Sequence, residues 1–484
     1  MFRVYKTLPR QGKFFHVIRK ESNGGLTIKD MPQPFALPFI GTTLQLMAAG
    51  SGNRLHNYIE RRHKQFGPIF CERLGGPNEL VFISDPDIIK SVFLNHEGKY
   101  PVHILPEAWV LYEKLYKNKR GLFFMDGEEW LENRRIINRH LLREDAEKLL
   151  KEPVTEAIKS FIENYQSRCS NTSKPLVPDL ESDFYMLSID VIIRLLLGVD
   201  STFQRSVHYD GLIKMFSEAV KNIFKTTTKL YGVPVKWYAK YNLKAWTDFK
   251  DSVDKSLLIA KQMVKEMLEQ KQQGSGLIMK LVEENLSEEM ISRIVADFII
   301  AAGDTTAYTS LWTLLMLSKN NSIQKEVREK DKSFAKHVIK ESMRLYPVAP
   351  FLTRILPNDC NISFNKYTIY SITFQTPIVA SIYTSGRDEK YFSRANEFLP
   401  YRWDRNDSRK KDLNVHVSSA SIPFALGARS CIGRKLAMIQ LSELVSQVNK
   451  FDMKCLNNNE IQAVTSQVLV PSEPIKIMLT PKSY

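Results

Sequence analysis

The sequence predicts a mainly α fold with small β-sheets, arranged as one large domain. Three observations carry that expectation. Apolar residues recur at helical spacing from about residue 84 to 345. Short apolar and alternating stretches read as strands: "PIFCERLGG" and "NELVFIS" near the start, "TIYSITF" and "PIVASIY" after Pro347. Finally, "ISRIVADFIIAAGDTTAYTSLWTLLMLSKN", Ile291 to Asn320, is apolar nearly all round, which marks a buried central helix.

The elements follow in order. The first twenty residues carry six Lys or Arg and no acid before Glu21, with no apolar h-region and no membrane-length apolar run. Such a start reads as a mitochondrial targeting segment over residues 1–30. Pro32, Pro34 and Pro38 then mark the beginning of a folded body over 31–484, in which no repeat, low-complexity linker or change of composition appears. Loops are expected around "KYPVHILPEAW" and "YGVPVKW", and helix returns after Cys431. The net charge of +15 fits nucleic acid, an anionic membrane or an acidic protein partner, and no basic tract or motif supports the first. Five scattered cysteines make neither a disulfide framework nor a zinc site, so a reducing intracellular compartment is expected.

Two places carry chemistry. Inside the central helix lies "AAGDTT", where Gly303 weakens the helix by about 1 kcal/mol against Ala. Asp304, Thr305 and Thr306 follow it, and acids and hydroxyls are costly to bury. The second place is "FALGARSCIGRKLA". Phe424, Gly427, Arg429, Cys431 and Gly433 are spaced as F-x-x-G-x-R-x-C-x-G. Each has a role if Cys431 is a thiolate on haem iron. The glycines let backbone N–H groups approach the sulfur, Arg429 offers a fork to a haem carboxylate, and Phe424 shields the sulfur. The helix that follows turns its positive end toward the thiolate.

These motifs resemble those of the cytochrome P-450 family of haem-thiolate monooxygenases, and the resemblance covers nearly everything after residue 31. It implies the cytochrome P-450 fold, a long central helix over haem b, with Cys431 as axial ligand and dioxygen as co-substrate. "ESMR" matches the family's E-x-x-R, so Glu341, Arg344 and Arg402 of "PYRW" are expected to form a buried, structural ion network. Trp130 and Arg134 of "WLENRR" and Arg354 of "FLTR" correspond to groups that reach the haem propionates. "AAGDTT" resembles the acid–alcohol motif, which makes Asp304 and Thr305 a proton relay to bound dioxygen. Two departures stand out. Ala302 occupies a usual Gly position, and only 36 positions separate Thr305 from Glu341, which implies a shortened connecting helix.

The start without an anchor and the lysines of "FAKHVIKESMR" resemble the mitochondrial branch. There, Lys336 and Lys340 correspond to the lysines that bind an acidic iron–sulfur ferredoxin, and Arg434 and Lys435 extend the basic patch. Placement on the matrix side of the inner membrane, with peripheral membrane contact, goes with that branch. "RRHKQFGPIF", "ERLGG", "RGLFFM", "IAAGDTTA" and "KESMRLYPVAPF" are similar to the arthropod Shadow group of ecdysteroid 2-hydroxylases. The implied reaction is hydroxylation at C2 of 2-deoxyecdysteroids in ecdysone biosynthesis. Another steroid or sterol is the alternative. A haem-thiolate sensor without turnover would lack the Asp304–Thr305 pair, and a reductase-independent isomerase or peroxygenase would lack the docking lysines. The expected pocket segments are apolar: Ile104, Leu105 and Trp109; Val348, Ala349, Phe351 and Leu352; Val468 and Leu469. His103 is the one nearby group that could meet a carboxylate.

Overall fold

In a computed structural model, Glu288–Ser318 form one continuous helix of 31 residues around which the rest of the fold is built. The structure describes residues 26–482 apart from 75–77, 171–175, 199–206, 231–234, 270–275, 331, 365–367 and 373–374. Most of the expected targeting segment, and part of the "YGVPVKW" loop, therefore lie outside the described residues.

The principal helices are α1 (Gly127–Leu141), α2 (Ala146–Ser170), α3 (Leu180–Leu197), α4 (Val207–Lys229), α5 (Lys244–Glu269), α6 (Glu288–Ser318), α7 (Asn321–Glu329), α8 (Lys332–Leu345) and α9 (Arg434–Val448). Helix α6 starts slightly earlier than its apolar pattern because Ser287 caps it, accepting from Met290 N–H at 3.2 Å. Glu288 and Glu289 in the first turn complement the positive helix end. Helices α3, α5, α8 and α9 all pack on α6, and α2 packs on α3 and α9. Gly303 now has a reason. A Cβ there would lie 2.7 Å from the Tyr185 ring, so only glycine lets α6 and α3 cross this closely.

A mixed sheet stands beside this bundle. Its strands are β1 (Ile69–Glu72), β2 (Leu80–Ile83), β3 (Phe351–Ile355) and β4 (Pro377–Ser381), in the order β1-β2-β4-β3. The β2–β4 pair is parallel and the others antiparallel. A smaller sheet joins Leu26–Thr27, Thr368–Ile372 and Cys360–Phe364; near the C-terminus the hairpin of Ala463–Ser466 with Val468–Pro471 lies between the antiparallel strands Phe451–Cys455 and Ile477–Pro481. Between α6 and α8 there is only the nine-residue α7, the shortened connection expected from the sequence.

The Glu341 network is fully internal. Glu341, Arg344 and Arg402 are each at most 1% exposed. Arg344 grips both Glu341 oxygens at 2.8 and 2.9 Å, and Arg402 Nε donates to Oε1 at 2.9 Å. Trp403 Nε1 and Leu399 N–H complete the shell at 2.9 and 3.0 Å. Burial alone would raise the Glu341 acid; the two guanidiniums outweigh it and hold the carboxyl below its ordinary value. This network fixes the irregular stretch around residues 386–403, which leads on to the cysteine loop.

Candidate active site

The loop that carries Cys431 is folded back on itself. Cys431 N–H donates to Phe424 O at 2.8 Å, and Ser430 N–H donates to Gly427 O at 3.1 Å. The turn needs left-handed backbone at Gly427 (φ +77°) and also at Ala425 (φ +60°), where a Cβ makes it strained. A Cβ on Gly427 would collide with Glu97 and with the Phe93 carbonyl, both at 2.3 Å. Gly433 is the N-cap of α9, and its N–H donates to the Cys431 sulfur.

Cys431 is exposed, yet burial is the largest influence on its thiol, pushing it up. A side chain that solvent reaches while protein atoms crowd around it sits at the floor of a cleft. The Gly433 N–H, Arg134 and Arg434 oppose that rise without overcoming it.

Arginines ring this floor. Arg134, from α1, donates to Ser430 O at 2.5 Å, while its Nε is buried without a partner. Arg429 donates to the carbonyls of Pro101, Phe123 and Met125 and to Asp126 at 2.9 Å, with its guanidinium 4.4 Å over the buried Trp130 ring. Arg354, from β3, pairs with Glu97 at 2.6 Å and donates to Leu426 O at 3.1 Å. Burial, then Arg354 and Arg134 among the charges, bring Arg429 down to about 10 despite Asp126. The fork of Arg429 is thus largely engaged by protein, which differs from a fork kept free for a haem carboxylate. The cluster still fits an anionic cofactor: three guanidiniums crowd one another beside a thiol, and one keeps an orphaned donor.

On α6 the two relay candidates diverge. Ala301 is exposed and Thr305 half-exposed on a helix otherwise largely buried, so this strip lines an internal space. Thr305 Oγ1 donates back to Ala301 O at 2.6 Å. Asp304 turns instead toward α3 and α4. It is 2% exposed and its Oδ2 has no partner. Burial pushes its acid up to about 7, with Glu181 reinforcing and Lys221 opposing the rise. Glu181 in turn pairs with Lys221 at 3.1 Å and accepts from Tyr308 OH at 3.2 Å.

The sequence reading missed two buried groups. Glu97 follows an irregular turn and carries no pattern of its own. Arg120, inside the basic run "KNKRG", looks solvated. It is 4% exposed, pairs with Asp297 of α6 at 3.5 Å and lies 4.7 Å from both the Trp109 and Phe124 rings. Asp297 was the available signal: an acid in a helix apolar on all sides needs a cation.

The "Cytochrome P450" family profile matches residues 31–479. "Cytochrome P450 315a1, mitochondrial" of Drosophila melanogaster is 36% identical over 478 residues, covering 94% of this chain and 89% of that protein. "1,25-dihydroxyvitamin D(3) 24-hydroxylase, mitochondrial" of Rattus norvegicus is 25% identical, covering 94% and 90%. "Sterol 26-hydroxylase, mitochondrial" of Oryctolagus cuniculus is 27% identical, covering 94% and 89%. With a cysteine at the floor of an arginine-ringed cleft and a family match over nearly its whole length, the chain belongs to the cytochrome P450 family of haem-thiolate monooxygenases that use dioxygen.

Proposed function

We propose that this enzyme hydroxylates a steroid, at C2 of 2-deoxyecdysteroids in ecdysone biosynthesis. Cys431 holds the haem iron. Phe424 and Gly427 shape its loop, and Arg134 and Arg354, backed by Arg429 stacked on Trp130, would meet the haem propionates. When bound, the haem supplies dioxygen activation and oxygen transfer, which is the cofactor's chemistry. Thr305 and Asp304 handle the protons. An acid near 7 both gives and takes a proton at neutral pH; Asp304 precedes Thr305 in the chain, with its carboxyl toward α3 and α4 and the Thr305 hydroxyl on the accessible strip.

The observation that carries the substrate class is how the apolar segments meet. Leu469 N–H donates to Val348 O at 2.8 Å, and Ile104 N–H donates to Thr353 Oγ1 at 2.9 Å, so three separate stretches converge. Trp312 of α6 donates to Leu469 O at 3.0 Å, which ties them to the central helix. Trp109 contributes from behind, 7% exposed beneath Arg120, rather than as open lining. These segments, "HILPEAW", "PVAPFL" and "QVLVP", carry no Lys or Arg to meet a fatty-acid carboxylate. Burial, then Arg429 and Arg354, bring His103 down to about 3, so it is uncharged at neutral pH. An uncharged, rigid, apolar substrate suits such walls. The names of the vitamin D and sterol relatives agree with that class, and the similarity to the Shadow group supplies the C2 position.

Electrons come from an acidic ferredoxin at the basic face. Lys336 and Lys340 are exposed on one side of α8, and Arg434 is exposed at the start of α9. Lys435 is half-buried, donating to Arg143 O at 2.7 Å, so it serves more as a strut than as a free charge. Among the described residues no helix is long and apolar enough to cross a membrane. Peripheral contact is supported by exposed Val110 and Leu115 on the helix Glu107–Tyr116 and by Trp237 on the adjoining helix Val235–Lys240, with Tyr241 just past its end, interspersed with Lys114, Lys236 and Lys240. The relatives named mitochondrial support residues 1–30 as a targeting segment and the matrix side of the inner membrane as the location.

The deciding experiment incubates the enzyme, ferredoxin and ferredoxin reductase with 2-deoxyecdysone and locates any new hydroxyl by NMR. A C2 alcohol is expected. No product, alongside efficient turnover of another lipid, overturns the substrate and leaves the reaction class intact.

A further inference from the structure

We infer that Glu97 is a positioning residue for the cysteine loop and the counter-charge of its arginine cluster. The inference rests on the assignment of Cys431 as haem ligand. Glu97 is 6% exposed and follows the irregular helical turn Val92–His96. Its two oxygens are divided between two tasks. Oε1 accepts from Ala428 N–H at 2.6 Å, three residues before Cys431. Oε2 accepts from Arg354 Nε at 2.6 Å. Arg354 in turn donates to Leu426 O, so one carboxylate and one guanidinium hold both sides of Gly427.

Gly427 shows how tightly this is set. Its left-handed turn brings the backbone against the Glu97 carboxylate, leaving no room for a Cβ. The Arg354 guanidinium also lies 4.2 Å over the Phe93 ring, from the same turn that ends at Glu97. Residues 92–97 therefore form a backing plate for the strained half of the loop. Arg134 and Arg429 hold the other half, through Ser430 O and the start of α1.

Charge gives the second task. Arg134 and Arg354 both lie close enough to act on Arg429, and Asp126 and Glu97 are the acids that act on it. Asp126 is largely exposed on its side chain and Glu97 is not, so Glu97 acts through the lower local dielectric. Removing its charge leaves Arg354 buried without its counter-ion, next to the sulfur loop. The ferrous state, one charge less positive, then becomes easier to reach.

The test separates charge from reach with two variants. Glu97→Gln keeps the length and removes the charge. Glu97→Asp keeps the charge and is one methylene too short to serve both Ala428 and Arg354. The readouts are the ferric–ferrous potential and the rate of haem transfer to apomyoglobin. For Glu97→Gln, the reduction equilibrium should rise about tenfold, a shift of about 59 mV for one electron. For Glu97→Asp, the potential should stay near wild type and haem loss should be several-fold faster. A wild-type potential in Gln together with wild-type haem loss in Asp overturns the inference. If the Gln variant fails to fold, the Asp variant decides through haem loss alone. A thiolate-type carbon monoxide spectrum in wild type keeps the Cys431 assignment separate from this result.

Discussion

The cysteine loop and the middle of α6 treat polar groups in opposite ways. Around Cys431 the backbone is held from two sides: Glu97 and Arg354 on one, Arg134 and Arg429 on the other. Behind it the Glu341 network has every strong acceptor filled. In α6, by contrast, Asp304 Oδ2 is buried without a partner. A satisfied network holds geometry; an unsatisfied buried acid is free to exchange a proton. On the proposed reading, the contrast separates the side that holds a ligand still from the side that moves protons.

The largest effect should come from breaking the rigid side. Arg402→Ala leaves Glu341 at 0% exposure with only one guanidinium, in a core where removing one partner of such a network costs about 3–5 kcal/mol. Denaturant unfolding should show that loss. A midpoint equal to wild type would mean that Arg344 alone suffices.

On the mobile side the expected effects are on coupling. Thr305→Ala and Asp304→Asn should bind haem and substrate yet release several-fold more peroxide per product. Asp304 also gives a stability signature. Its folded pKa is raised to about 7 from 3.8, so the folded state holds this proton more tightly than the unfolded chain. The associated stability is complete below about pH 4 and is lost as pH rises through 7. Asp304→Asn should therefore gain stability relative to wild type from pH 4 to 7 and hold that gain above 7. A constant difference across the range would remove the buried acid from the explanation.

The smallest effect belongs to the surface. Lys336→Gln with Lys340→Gln should weaken ferredoxin binding several-fold at low salt and spare peroxide-driven turnover, since exposed charges are screened. Equal loss in both assays would place these lysines elsewhere in the cycle.

Much of this was legible in the sequence, for a physical reason. Helix α6 declared itself because an all-apolar run of that length has to be internal, and Gly303, Asp304 and Thr305 stood out against it. The cysteine loop was legible because its constraints are local: a turn, a cap and a sulfur within ten residues. Glu97 and Arg120 were not. Each owes its role to a partner far along the chain, Ala428 or Asp297, and neither carries a local pattern. The occupied fork of Arg429 escaped for the same reason, because the carbonyls of Pro101 and Met125 reach it only through folding.

The division between a held ligand and a free proton stands on Cys431. The most direct measurement is the carbon monoxide difference spectrum of reduced Cys431→Ser beside wild type. Wild type should give the thiolate-type band. The variant, with a neutral hydroxyl at the floor of the same cleft, should lose that band even where haem is retained. A thiolate-type band persisting in Cys431→Ser would contradict the assignment and, with it, the reading of the loop as the ligand-holding side.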